Sequence, residues 1–138
     1  MIINYTPDNI TLLKPNEIIL VGTNPEGRHG KGLALVCKEK FGLTLGKSLG
    51  LIGQCYGIIT KELRKDHKQI TLLDIDKQVF VFIEFTKQHP ELTFYVTKIG
   101  CGLAGFDYRN IALMFKNCLE LPNVILPLDF VLHLTSIK

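Results

Sequence analysis

At 138 residues the chain has room for one domain that buries about two-thirds of its unfolded surface, and it is too short for two. Apolar residues make up 46% of it, so a solid core is expected, while a formal net charge of +3, with basic residues scattered among acids, does not indicate nucleic-acid binding. The small positive excess favours an anionic small molecule.

In chain order, residues 1–5 and 10–13 are short apolar pieces around a Pro7-Asp8-Asn9 turn. Residues 18–22 form a buried-strand run, and residues 24–32 form a polar glycine loop. Leu33, Val36, Cys37 and Phe41 then share a helix face, which Gly42 can close. Residues 54–60 read as a strand. From Asp74 to His89 the positions Ile75, Val79, Phe82 and Ile83 fit a helix, although 79–85 is also rich in strand formers; the length before Pro90 favours helix. Residues 94–99 and 123–128 read as two more strands. Between them Asp107 can cap a third helix, with Ile111, Met114, Phe115 and Cys118 at i, i+3, i+4 and i+7. No repeat, linker or low-complexity stretch divides the sequence. The alternation implies a single α/β domain over residues 1–138, with a mixed, mainly parallel sheet and helices on both faces.

The most informative segment runs from Tyr95 to Phe106, where an apolar strand enters the turn Gly100-Cys101-Gly102-Leu103-Ala104-Gly105. Three glycines in six residues leave backbone N–H groups bare, and the turn ends at a helix start with its positive dipole end. The loop at 24–32 has the same arrangement. In open α/β sheets both loops belong at the carboxyl ends of the strands, where two such loops would hold an extended diphosphate from two sides. Neither is a standard phosphate signature: Lys31 is followed by Gly32 rather than Ser or Thr, and no dinucleotide fingerprint can be read.

Four residues could carry chemistry. Lys61 follows a strand, and reads either as a solvated lysine in an exposed charged turn with Glu62, Arg64, Lys65 and Asp66, or as an amine able to attack a sugar C1 carbon. Lys98 is a second candidate that strand alternation can turn away from the cleft. His29 reads as a loop histidine in solvent, with proton transfer or phosphate binding as its functional alternatives. Cys101 sits near a helix start that favours thiolate, opposed by Asp107, and reads as a small buried side chain beneath the loop. The cysteines Cys37, Cys55, Cys101 and Cys118 have neither zinc spacing nor the density of a disulfide scaffold, and His67, His89 and His133 have no ligand-like spacing, so no metal and no cofactor is expected. Without a leader or an apolar run of about 18 residues, a soluble cytoplasmic protein is the expectation.

Three segments together resemble a macro domain: Gly30-Lys31-Gly32-Leu33-Ala34 leading to Lys40-Phe41-Gly42, the strand ending in Lys61, and residues 99–105. They occur in that family's order, span most of the chain, and are most similar to the compact branch of terminal ADP-ribose glycohydrolases acting on protein glutamyl esters. The resemblance implies a three-layer α/β/α fold and ADP-ribose, or an ADP-ribosylated substrate, as partner. It assigns Asp8 to the adenine amino group and Asn24 to the distal ribose. Gly30, Lys31 and Gly32, with Gly100, Cys101, Gly102, Leu103, Ala104 and Gly105, would surround ribose and diphosphate, Phe106 would stack on the ribose side, and Lys61 would be the nucleophile. One departure is serious. That branch has a catalytic aspartate where this chain has Ala104, and Asp107 lies three residues on. Hydrolysis of an ADP-ribosyl ester or of ADP-ribose 1″-phosphate therefore stands beside two alternatives, a non-catalytic ADP-ribose module and an interaction domain that has lost the ligand.

Overall fold

A computed structural model describes residues 4–136. The expected apolar piece at 1–5 lies partly outside them, since residues 1–3 are not described. Five strands, β1 (Glu17–Thr23), β2 (Gly50–Ile52), β3 (Cys55–Ile59), β4 (Thr93–Tyr95) and β5 (Val124–Ile125), form one sheet in the order β2-β3-β1-β4-β5. Only β2 runs antiparallel to its neighbour. Four helices complete the fold: α1 (Gly32–Lys40), α2 (Leu72–Gln88), α3 (Tyr108–Leu113) and α4 (Leu128–Ser136), with a 3-10 turn at Lys116–Glu120.

The layering follows from the alternation of β1. Ile18 and Leu20 face one side and pack with Ile75, Phe82, Phe115 and Phe130 from the helical segments, whereas Ile19 and Val21 face the other and pack with Cys37 and Phe41 of the α1 region. Both faces of β1 are covered, as its unbroken apolar run requires. The result is a three-layer α/β/α domain.

The ambiguity at 74–89 resolves as helix. Thr71 and Asp74 form a capping box, with the Thr71 N–H donating to Asp74 Oδ2 at 2.8 Å and the Asp74 N–H to Thr71 Oγ1 at 3.1 Å. Ile75, Val79, Phe82, Ile83 and Thr86 make its buried stripe. Helix α1 ends as expected, with Gly42 at φ +81° and the Leu43 N–H donating to the Cys37 carbonyl at 3.2 Å.

Elsewhere the sequence expectations were too long. Pairing of β4 with β1 stops at Tyr95, and beyond it the Thr97 hydroxyl donates to the Leu20 carbonyl at 2.6 Å where a ladder bond would otherwise run. The expected strand at 123–128 is only Val124–Ile125, because Pro127 starts α4 by accepting from the N–H groups of Phe130 and Val131. The third helix breaks after Leu113 into the 3-10 turn, yet keeps Ile111, Phe115 and Cys118 buried. Among the described residues all four cysteines are free thiols.

Candidate functional site

The chain leaves β1 through α1 toward β3 on one side, and returns through α2 to β4 on the other. That places a topological switch at the carboxyl end of β1. A cleft of about 540 Å³ lies there, lined by the end of β1, residues 30–34, Thr60 and Lys61 after β3, and both arms of the second glycine loop. Of the sequence-predicted residues, Asn24, Gly30, Lys31, Gly32, Lys61, Gly100, Gly102, Leu103 and Ala104 line it.

The distinguishing feature is backbone. Helix α1 begins with Lys31 in an extended conformation and no side-chain cap, and its first intrahelical bond is from the Leu35 N–H to the Lys31 carbonyl at 3.3 Å. The N–H groups of Gly32, Leu33 and Ala34 therefore have no protein acceptor among the described residues, as expected of a helix N-terminus. The same holds for Gly100, Gly102, Leu103 and Ala104 in the second loop. Both sets border one cleft.

Close approach of the second loop depends on Gly22. A Cβ there would lie 3.0 Å from Thr60 Oγ1, which would have to give by a few tenths of an ångström, and 3.6 Å from the Gly100 nitrogen, an ordinary contact, so a larger side chain would crowd the space between β1 and the loop. The ends of β1 and β3 are joined by the Thr60 N–H donating to the Thr23 carbonyl at 3.0 Å.

Asn24 shapes the first loop. Its Nδ2 donates to the Arg28 carbonyl at 2.7 Å and its Oδ1 accepts from the Arg28 N–H at 3.0 Å, so its amide holds its own loop. Lys61 Nζ reaches across to donate to the Leu103 carbonyl at 3.0 Å. Lys98 borders the cleft but is ion-paired with Asp129, whose hydrogen bond raises the ammonium pKa. The charged side chains lining the cleft are Arg28, Lys31, Lys61 and Lys98, with no Asp or Glu among them.

Four predicted contacts lie outside the cleft lining: Asp8, Cys101, Gly105 and Phe106. Asp8 is exposed, near enough to Lys98 to support its charge. Phe106 packs inside the loop, its N–H donating to the Gly100 carbonyl at 2.8 Å, and it borders a second depression with Lys98, Cys101, Asp107, Tyr108 and Arg109. Gly105 closes the turn onto the Gly102 carbonyl at 3.0 Å. Burial pushes the Cys101 thiol up to about 11, against the pull of Lys98 and with the help of Asp107, so it is a thiol at neutral pH.

Two expectations are corrected. His29 is 1% exposed rather than solvated: the segment after α1 folds over it, and its Nε2 donates to the carbonyls of Thr44 and Lys47 at 3.1 and 2.9 Å. Glu62 does not belong to an exposed turn. It is 4% exposed, and its Oε1 accepts from Arg64 at 2.8 Å; that guanidinium holds the carboxyl below its usual range. Arg64 in turn lies 3.9 Å from Glu26, which tethers the connection after β3 to the first loop.

Sequence reasoning missed Thr23, Thr60 and Thr97, whose only signal was their position where strands end. Among the described residues, no group of three or more His, Cys, Asp or Glu is placed to hold a metal ion, and no helix is long and apolar enough to cross a membrane.

Neither a protein-family model nor a curated protein matches the chain. Among solved structures it is similar to a protein of unknown function from Bacteroides thetaiotaomicron, with a TM-score of 0.59 and 20% identity over 85% of this chain and 90% of that one. Likeness at that identity shows the fold alone.

Proposed function

We propose that the cleft binds ADP-ribose or a related NAD-derived nucleotide through its diphosphate. The observation that carries this is the convergence of two sets of unpartnered backbone N–H groups, at residues 32–34 and at residues 100 and 102–104, on one cleft whose charged side chains are all cations. An anion between them would accept hydrogen bonds from both sides and sit at the positive end of α1. The cleft's size is that of a small-molecule site.

Binding without turnover is favoured over hydrolysis. Lys61 lines the cleft, but its Nζ is engaged in donating to the Leu103 carbonyl, and no carboxylate lines the cleft to move a proton. Asp107, the nearest acid in sequence to Ala104, is engaged in capping α3 and in a two-pronged bond to Arg109, which holds its carboxyl down at about 2. Loss of a positioned acid or base typically costs about two to four orders of magnitude in rate. Residual hydrolysis of an ADP-ribosyl ester, or of the 1″-phosphate, would depend on Lys61.

Calorimetry with ADP-ribose tests the binding, with AMP as a comparison ligand. Saturable heat for ADP-ribose, and weaker binding of AMP, is expected. No heat at millimolar ADP-ribose would contradict it and favour an interaction domain without a nucleotide.

A further inference from the structure

Helix α2 carries apolar residues on two sides. Ile75, Val79, Phe82 and Ile83 are buried in the core. Facing solvent, Leu73, Phe80 and Val81 are 61%, 66% and 59% exposed, and Leu73 and Phe80 lie two turns apart on one line of the helix surface. The outer side of a surface helix is ordinarily polar, so a Phe and a Val side by side there form an open apolar centre. Among the described residues, none of α2 lines the cleft. The charges around this centre are placed symmetrically. Lys77 precedes Phe80 by three residues and Glu84 follows Val81 by three, so both border the apolar pair on the helix surface. Lys77 enters no salt bridge among the described residues, and Glu84 makes only an exposed contact of 3.4 Å with Lys87 of its own helix.

We propose that this face of α2 docks a second copy of the chain, the two helices lying antiparallel about a two-fold axis that passes between Phe80 and Val81. Turning the helix end for end about that point exchanges the positions of Lys77 and Glu84. Each Lys77 then meets Glu84 of the other copy, twice across the interface, while the Phe80 and Val81 side chains of both copies cover one another at the centre. A parallel pairing would instead set Lys77 against Lys77 and Glu84 against Glu84. Self-complementarity of this kind is what an isologous contact requires, and an unrelated partner would have no need of it. The helix has 17 residues, about 25 Å of length, which places the contact at the small end of specific interfaces. A dimer that dissociates at roughly tens of micromolar is expected. The inference does not depend on what the cleft binds.

Sedimentation velocity of the whole chain, from about 1 to about 500 micromolar, tests it. Wild type should pass from monomer to dimer over that range. Phe80→Ser should weaken the dimer about a hundredfold, with the thermal midpoint of the dilute monomer unchanged because the side chain is exposed. Lys77→Glu and Glu84→Lys should each weaken self-association about tenfold at low salt, since each turns two attractive contacts into two repulsive ones. Mixing these two variants restores opposite charges at both contacts, so the mixture should associate about as tightly as wild type while neither variant does so alone. A wild type that stays monomeric at the highest concentration would overturn the proposal and leave the face to a different partner. A dimer indifferent to Phe80→Ser would place the contact elsewhere, and charge variants that associate no better mixed than apart would rule out the antiparallel register.

Discussion

Lys61 Nζ donates to the Leu103 carbonyl at 3.0 Å, so the residue after β3 pins the tip of the second glycine loop from across the cleft. A peptide unit points its C=O and N–H in opposite directions, so this contact fixes the orientation of the Ala104 N–H as well. Lys61→Ala frees that peptide. It should weaken ADP-ribose binding about three- to tenfold with little loss of stability, because the contact is partly solvated. Calorimetry and amide exchange of residues 102–104 would check both effects.

Gly22 and Gly57 separate cleft geometry from stability. Gly22→Ala places a methyl 3.0 Å from the hydroxyl oxygen of buried Thr60, a side chain rather than backbone, and at ordinary contact distance from the Gly100 nitrogen. It should cost less than about 1.5 kcal/mol of stability but lower ADP-ribose affinity about tenfold. Gly57→Ala would put a Cβ 2.1 Å from the Ser48 carbonyl oxygen, which is backbone and cannot yield cheaply. It should cost about 2 kcal/mol or more, as read by urea unfolding.

Asn24→Asp should damage the first loop rather than merely repel an anion. The carboxylate cannot donate to the Arg28 carbonyl, and it faces that carbonyl at close range. A stability loss of about 1 to 3 kcal/mol is expected, together with loss of ADP-ribose binding. Unchanged thermal unfolding and affinity would show that the amide is dispensable.

Much of this was legible in the sequence. The apolar run of β1 and the 3.6-residue spacing of α1 and α2 carry their own periodicity, and the glycine loops announced bare backbone. The sheet order then brought those loops together. Strand β2 was hidden because its three residues show no pattern, and α4 because Pro127 splits an apolar stretch that reads as one strand. His29 reads as exposed because its partners, the carbonyls of Thr44 and Lys47, come from a segment 15 to 18 residues on; the partner of Glu62, Arg64, is a sequence neighbour, but the burial of Glu62 comes from the fold.

Acid should unmask the α3 cap. The Asp107 carboxyl is held at about 2, below the ordinary value of about 4, so its stabilisation is fully present above pH 4 and is lost as the pH falls toward 2. Thermal midpoints of wild type and Asp107→Asn should differ at pH 6 and converge near pH 2. A difference that does not change with pH would contradict this cause.

The central claim, that two sets of backbone amides grip one diphosphate, is tested most directly by following backbone amide resonances during an ADP-ribose titration. The amides of Gly32, Leu33, Ala34, Gly100 and Gly102 should shift together along curves with one dissociation constant. Shifts confined to one loop, shifts elsewhere on the molecule, or none at all would contradict it.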